Sequence, residues 1–441
     1  SAASDVYKRQ PFSSSLYKQL MLKKSLHQFD KKTILLLQGP VGPFFRRFAS
    51  DLKRHGAIVH SISFNGGDWF FNRGQSINFR KHPREWRHFL KEFLEHHAID
   101  YIFLFGDCRP YHMIARQIAS ELKICVGVFE EGYIRPNFIT LEEEGVNNFS
   151  QCSRQAQFYF DHAEVAEQPE RQLGYTFAHM ASYAVIYYLF GSLLKPFFWH
   201  YQHHRPLSLI ESFAWIRSAC RKWVYRYTER HMQTFLTEQL AKQYFFFPLQ
   251  VYNDSQIHTH SDFAAVKHTI KHVVASFAKF APPDAHLVIK HHPMDRGYND
   301  YKAWIEQLTF LHNLYGRLHY IHDQHLPSLL NNALGTIVVN STVGLSALLH
   351  GSPLKVIGRA MYDFKQLTYQ GELDEFWREA REIEVDEKLF KAFRNYLIAN
   401  TQLNGSFYKR LRGEDTATGV VWAQMVDLSE QEEGAGASAK S

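Results

Sequence analysis

Two carboxylates stand side by side where an apolar run stops: Val128-Phe129-Glu130-Glu131-Gly132-Tyr133-Ile134-Arg135-Pro136. Residues 124–129 are β-branched and aromatic, the composition of a buried parallel strand. Ligands of open α/β sheets bind just beyond the carboxyl ends of such strands. A carboxylate placed there can work as a nucleophile or as an acid or base, and Arg135 offers a guanidinium fork to either carboxylate or to an anionic substrate. Taken alone, Glu-Glu-Gly is also an ordinary polar turn. Two later constellations give it weight. Lys290-His291-His292-Pro293 ends another expected strand, where lysine and histidine can bridge to a phosphate and the histidine can supply a proton. Asn340-Ser341-Thr342 sits between a buried strand and a helix start, a place for an anion and equally for a plain N-cap. No third ligand stands at zinc-like spacing from the His291-His292 pair, so no metal is expected. No D-x-D clamp for a metal-bound diphosphate occurs, and a donor with a single phosphate would not need one.

The elements that must hold these ends alternate strand and helix in units of roughly 25–35 residues, the rhythm of a parallel sheet. In the first half, strands are expected over 33–37, 57–64, 99–105 and 124–129. Their ends read Gln38-Gly39-Pro40-Val41-Gly42, Asn65-Gly66-Gly67-Asp68-Trp69, Gly106-Asp107-Cys108-Arg109-Pro110-Tyr111-His112, and the carboxylate pair. In the second half, strands are expected over 244–249, 286–290, 318–321, 336–339 and 354–357. The first of these opens into Gln250-Val251-Tyr252-Asn253-Asp254-Ser255-Gln256. The Gly39-x-x-Gly42 turn lacks the spacing of a dinucleotide fingerprint and there is no P-loop, so neither NAD nor P-loop nucleotide binding is expected.

Residues 165–240 break this rhythm. No Asp, Glu, Lys or Arg occurs over 172–194, close to membrane-spanning length, yet the run holds Thr176, His179, Ser182, Gly191 and Ser192. Downstream, Lys195, Arg205, Arg217, Arg221, Lys222, Arg226 and Arg230 interleave with Trp199, Trp215, Trp223, Tyr225 and Tyr227. That mixture suits helices lying on anionic lipid, or an insert packed between two domains. The chain has 441 residues, 45% hydrophobic and 15% aromatic, with a formal charge of +6. The balance is too mild for a dedicated nucleic-acid binder. Four dispersed cysteines read as free thiols of a reducing compartment. No secretory signal is read at the start, and the first ten residues look like translated adaptor sequence. The expected division is an extension over 1–32, a Rossmann-like domain over 33–165, a helical insert over 166–243, a second Rossmann-like domain over 244–380, C-terminal helices over 381–427, and a disordered tail over 428–441.

Phe129-Glu130-Glu131-Gly132-Tyr133-Ile134-Arg135-Pro136, Gly145-Val146-Asn147, Pro248-Leu249-Gln250-Val251-Tyr252-Asn253-Asp254-Ser255-Gln256, His292-Pro293 and Asn340-Ser341-Thr342-Val343-Gly344 occur in that order. The set resembles the capsular polysaccharide biosynthesis family, and within it the KpsS/LipB-type β-Kdo transferases of Gram-negative bacteria. The resemblance covers roughly residues 33–371 and implies a GT-B-like α/β fold: two Rossmann-like domains facing a cleft, with the α-helical insert between them. It implies a glycosyltransferase moving Kdo with retention from CMP-Kdo to a (lyso)phosphatidylglycerol acceptor, on the cytoplasmic inner face of the membrane. Glu131 matches the family's acidic residue, often an Asp, and is expected as nucleophile or catalytic carboxylate. Glu130 orients it or is itself the catalyst. His292, Lys290, His291 and Pro293 are expected at the CMP phosphate, with Asn340, Ser341 and Thr342 closing the cradle. Gln250, Asn253 and Asp254 are expected at cytosine or ribose, and Arg135 at the Kdo carboxylate. Gly39, Asp107, Arg109 and His112 are expected on the acceptor side. The expected partners are a CMP-sugar, an anionic lysophospholipid, the membrane surface and other capsule proteins, with no cofactor. Two rival readings stay open: another CMP-sugar transferase, sialyltransferase-like, and a non-catalytic assembly or export subunit.

Overall fold

The computed structural model describes residues 25–163, 170–201 and 211–422. The adaptor-like start, Arg205 and the tail over 428–441 lie outside the described residues. Twelve strands are described: β1 (Thr33–Leu36), β2 (Ile58–Ser63), β3 (Ile77–Asn78), β4 (Tyr101–Phe105), β5 (Cys125–Glu131), β6 (Phe138–Glu143), β7 (Tyr244–Pro248), β8 (His286–Lys290), β9 (Leu318–Ile321), β10 (Gly335–Val338), β11 (Leu354–Val356) and β12 (Gln402–Asn404). They form two sheets, in the orders β12-β6-β5-β4-β1-β2-β3 and β11-β10-β7-β8-β9. The second sheet is wholly parallel. The first is parallel from β5 to β3, with β6 and β12 antiparallel at one edge. The expected pair of Rossmann-like domains is therefore what the chain adopts.

Helices cover both faces of each sheet, so the central strands are apolar on both sides. Phe103 and Phe129 of β4 and β5 meet Phe44 and Phe48 on one face, where Trp422 stacks on Phe48 at 5.4 Å between ring centroids. Leu104, Val126 and Val128 of the same strands point to the opposite face. β7 reads Tyr-Phe-Phe-Phe-Pro and is buried along its length because it is the middle strand of its sheet.

The carboxyl ends of the two sheets meet. Cys108, just after β4, puts its Sγ 3.7 Å from Nε2 of His260 on the short helix Ser255–His260 that follows β7. Phe149 closes on the same imidazole edge-on, at 4.7 Å.

The C-terminal stretch departs from expectation. Among the described residues, 381–422 hold one α-helix, Glu387–Asn400, whose Phe393 and Tyr396 pack on Tyr159, and Phe393 on Phe364. The chain then returns to the first sheet as β12, pairing Leu403 with Ile139. An edge strand such as β6 presents unpaired backbone groups, and a three-residue partner satisfies them. No local pattern in three residues announces such a strand.

The insert divides its contacts between the domains. Its first helix, Phe177–Leu193, lies on the helix Gly66–Phe71, with Phe190 stacked on Phe70 at 3.9 Å. Gly66 and Gly67 permit this approach: a Cβ on Gly66 would fall onto the Phe190 carbonyl oxygen, and one on Gly67 would lie 2.5 Å from the Tyr187 ring. The second helix, Glu211–Thr228, sits on the other domain: Arg221 donates to the Arg296 carbonyl at 2.8 Å and lies 3.7 Å from Asp300, and Arg217 donates to the Gly297 carbonyl. The rings of Tyr188 and Trp215 join the two helices at 5.7 Å. Among the described residues, no helix is long and apolar enough to cross a membrane. Gly66→Ala or Gly67→Ala should force the two helices apart and cost about 1–3 kcal/mol. The check is a lowered melting temperature with faster proteolysis between residues 170 and 201; a wild-type melt and digest would show the helix is not held there.

Candidate functional site

The expected site residues fall at the facing ends of the two sheets. β5 continues into β6 as a hairpin, so Glu130 and Glu131 belong to the last residues of a buried strand, opposite Thr140 and Ile139. The motif that follows folds back on itself through side chains. The Tyr133 hydroxyl donates to Glu142 at 2.6 Å and accepts the Asn147 N–H at 2.6 Å, while Ser150 donates to the other Glu142 oxygen. Burial pushes Glu142 up to about 7 against these bonds. The Glu-Glu-Gly-Tyr and Gly-Val-Asn motifs are thus physically one unit.

The two carboxylates differ. Burial first, and then the Asp107 and Glu131 carboxylates, push Glu130 up to about 8, with Arg109 opposing. Glu130 Oε1 accepts the Glu131 N–H at 3.0 Å. Its Oε2 comes within 3.5 Å of the point that a Cβ on Gly106 would occupy, and Arg109 Nε within 4.0 Å of the same point. Gly106 has φ +72°, so it meets both requirements of this turn, a left-handed backbone and no side chain. Glu131 is half-buried, and its Oε1 accepts the Tyr408 hydroxyl at 2.9 Å. Tyr408 follows β12; it went unforeseen because the return of the chain to the first sheet did.

Two of the residues expected on the acceptor side, Asp107 and His112, prove to be scaffold. Asp107 is fully buried, accepts the Val146 N–H at 2.9 Å and the Cys108 thiol at 3.2 Å, and so fixes the Gly-Val-Asn loop instead of flanking an acceptor. His112 is likewise buried, its Nδ1 2.6 Å from the Gly106 carbonyl, and burial lowers it to about 3; it anchors the turn. Arg135 is exposed, bonds the Gly132 carbonyl at 3.3 Å and forms an ion pair with neither carboxylate. Arg109 does stand in the site, its guanidinium on Gln38 at 3.0 Å and over the Phe105 ring at 5.3 Å. Gly39 packs on Phe45 and lines the recess at the end of β1.

On the other side, Gln250, Asp254 and Asn340 form one hydrogen-bonded floor. Gln250 Nε2 donates to Asn340 at 2.8 Å and to Asp254 at 3.1 Å, and Asn340 Nδ2 donates to the Gln256 carbonyl at 2.9 Å. Asn253 Oδ1 is buried and has no hydrogen-bond partner among the described residues. Ser341 Oγ accepts the Val343 N–H at 3.2 Å, at the first residue of the seven-residue helix whose N-cap position is Thr342. His292 Nδ1 accepts the Met294 N–H at 3.2 Å next to exposed Pro293, which leaves the proton of the neutral ring on Nε2. His291 differs from expectation: it is buried among Tyr301, Tyr320 and His322, bonded to the Tyr320 hydroxyl at 2.7 Å and lowered to about 3 by burial, a core histidine. Lys290 is nearly enclosed, and burial lowers it to about 8 although Asp323 and Glu229 pull the other way. Glu229 comes from the insert and binds His322 Nδ1 at 2.6 Å, a residue that spacing alone could not assign. Asp107, Cys108 and His260 bring three potential metal-ligand atoms within 4.8 Å of one another, but Arg116 lies 3.9 Å from the same Asp107 carboxylate and competes for it.

Residues 100–408 match the family model described as capsule polysaccharide biosynthesis protein. The chain belongs to the capsule polysaccharide biosynthesis family. It is 41% identical over 379 residues to the capsule polysaccharide export protein KpsS of Escherichia coli, a match covering 86% of this chain and 97% of that one. It is 40% identical over 407 residues to the capsule polysaccharide modification protein LipB of Neisseria meningitidis serogroup A, covering 89% and 96%. Among solved structures, a glycosyltransferase from Rickettsia africae overlaps 83% of this chain and 95% of its own, at 9% identity and a TM-score of 0.35.

The raised carboxyls make stability depend on pH. Glu130 and Glu142 hold protons in the folded chain that the unfolded chain has already released above its ordinary value of 4.5. Folding therefore takes up protons, and each group's contribution fades as pH rises towards its folded value. The buried histidines, lowered below 6.5, no longer oppose this above that pH. The melting temperature should fall between pH 6.5 and 8, and Glu130→Gln should flatten the fall. A melting temperature that climbs across this window would show that neither carboxyl is raised.

Proposed function

We propose that the chain is a retaining β-Kdo glycosyltransferase that moves Kdo from CMP-Kdo to an anionic (lyso)phosphatidylglycerol acceptor. The product would start the poly-Kdo linker of a capsular polysaccharide at the inner face of the cytoplasmic membrane, alongside other capsule proteins. Family membership supports a role in capsule assembly. The observation that carries the transfer reading is the placement of Glu130 and Glu131 on one side of the Cys108–His260 contact and the Gln250–Asp254–Asn340 floor on the other.

In this reading the CMP moiety lies on the second domain. Asn253 and Gln250 meet the nucleoside, Lys290 and His292 Nε2 hold the single phosphate, and Arg135 takes the Kdo carboxylate. No metal is needed for a monophosphate leaving group. Glu131, with Oε1 steadied by Tyr408, attacks the anomeric carbon through Oε2; the bond to CMP breaks and its electron pair leaves on the phosphate. The acceptor hydroxyl then attacks the same carbon, passes its proton to Glu130 and displaces Glu131. Two inversions give retention. A base near 8 is matched to this proton, so the rate of the acceptor step should climb as pH rises to about 8, and Glu130→Gln should remove that limb.

Membrane contact falls to the insert. Phe213, Trp223 and Tyr227 are 72%, 71% and 70% exposed, with Arg226 over Trp223 and Arg230 over Tyr227. Arg217 and Arg221 are committed to the second domain and so do not serve this surface. Reversing charge at Lys222, Arg226 and Arg230 should weaken binding to anionic liposomes and its salt sensitivity. Unchanged binding would leave the insert a packing role only.

The transfer itself is tested with purified protein, a short-chain lysophosphatidylglycerol, and either CMP-Kdo or CMP-sialic acid. CMP-Kdo should be consumed, and Glu131→Gln should lower the rate by well over about 10²-fold. Consumption of CMP-sialic acid instead would change the donor, and an active Glu131→Gln enzyme would remove that residue from the chemistry.

A further inference from the structure

The insert helix Glu211–Thr228 meets the second domain along a row of side chains spaced four apart, one helical face: Arg217, Arg221, Tyr225 and then Glu229 just past its end. Arg217 and Arg221 bond the carbonyls of Gly297 and Arg296. Tyr225 lies flat on the His322 ring, with centroids 3.5 Å apart. Glu229 continues the helical path, its N–H on the Tyr225 carbonyl at 2.9 Å, and delivers a carboxylate to the end of β9. Its Oε2 accepts the His322 N–H at 2.9 Å and its Oε1 the His322 Nδ1–H at 2.6 Å, while Gln324 Nε2 donates to its carbonyl at 3.2 Å. Trp223 and Tyr227, on the same stretch, are exposed. His322 directly follows Ile321, the residue of β9 that pairs with Lys290 at the end of β8, and the His291 N–H bonds the Ile321 carbonyl at 2.7 Å. Glu229 therefore grips the strand end that adjoins Lys290.

We propose that Glu229 is a positioning residue for the donor phosphate: it seats the end of β9 beside Lys290 and sets a carboxylate charge near that side chain, so that the insert completes the phosphate end of the donor site. The proposal rests on the transferase reading, in which Lys290 holds the phosphate, and deepens it by giving the insert a part in donor binding. The charged and titratable groups about this end are Asp323 and Arg296, ion-paired with each other, Asp300 beside Arg221, His291, His292, His322, Tyr225, Tyr301, Tyr320 and Glu229. Burial lowers Lys290 to about 8; Asp323 opposes this, Arg296 adds to it and Glu229 opposes it. Burial also lowers His291 to about 3 and pushes Tyr225, Tyr301 and Tyr320 above their ordinary value of 10, so these four keep their charge between pH 7 and 9. The ammonium of Lys290 is the charge that a phosphate loses in this window, and Glu229 is one of the two carboxylates that retain it.

The test uses the full chain and isothermal titration with CMP from pH 7 to 9, above the value of about 6 at which its phosphate loses the second proton. Wild-type affinity should fall as pH rises through about 8. Glu229→Gln should move that midpoint down by about half a unit or more, so that CMP binds about threefold weaker than to wild type at pH 9 and within about twofold at pH 7. Glu229→Asp keeps the charge and should restore the wild-type midpoint. If Glu229→Gln does not fold, Glu229→Gln combined with His322→Gln replaces the pair by two amides and should show the same shift. A wild-type midpoint in the folded variant, or a loss of affinity equal at every pH, would overturn the assignment and leave Glu229 a clamp alone. Acetylation of Lys290 by acetic anhydride, followed by mass spectrometry across the same pH range, reads the midpoint without CMP and should shift alike. Failure of the wild-type chain to bind CMP would count against the transferase reading, with Glu229 still judged by the acetylation midpoints.

Discussion

The approach of Cys108 to His260 is the constraint on which the site depends. It joins the turn after β4 to the turn after β7, the middle strand of the second sheet. Because parallel strands carry their ligand-facing residues at one end, fixing two such ends against each other fixes the opposed polar groups as well. Asp107, Cys108 and His260 are all buried, and burial with the Asp107 carboxylate holds the Cys108 thiol well above its ordinary range while burial holds His260 down at about 4. The contact is thus made by neutral thiol and imidazole beside one carboxylate. Arg116 and the Val146 N–H hold that carboxylate from its other side. Glu130 is recessed behind the same turn, and its raised value follows first from burial and then from the Asp107 and Glu131 carboxylates.

The insert is the second organising element. Each of its helices belongs to a different domain, one docked through Gly66 and Gly67 and the other through Arg217 and Arg221, and the rings of Tyr188 and Trp215 connect them. A surface bound to the outer side of these helices would therefore bear on both halves of the cleft at once. Glu229, just past the second helix, carries that link inward to His322 and the end of β9.

Much of the fold was legible because the strands are short apolar runs with polar ends. The expected spans 286–290 and 318–321 coincide with β8 and β9. β3, β6 and β12 were not foreseen, since two- and three-residue strands carry no period and β6 follows the motif directly as a hairpin partner. Within the site, Glu130 and Glu131 stand together at the end of β5, and Gln250, Asp254 and Asn340 form one hydrogen-bonded group after β7 and β10. Asp107, His112 and His291 share the same positional signal and turn out to be scaffold. Sequence position marks the end of a strand, but it does not say whether a side chain there turns outward or back into the core. Tyr408 was missed for the converse reason: its partner Glu131 lies far away in the chain, and only packing brings them together.

The central claim is that Glu131 is the atom source of a covalent sugar–enzyme bond while Glu130 handles the proton. The most direct measurement is peptide mapping by mass spectrometry after the protein is mixed with CMP-Kdo in the absence of acceptor and quenched in acid. The account predicts one Kdo attached to the peptide containing Glu131, absent in Glu131→Gln and discharged when acceptor is added. Kdo found on Glu130, or CMP released in the first turnover with no sugar attached to the chain, would contradict it.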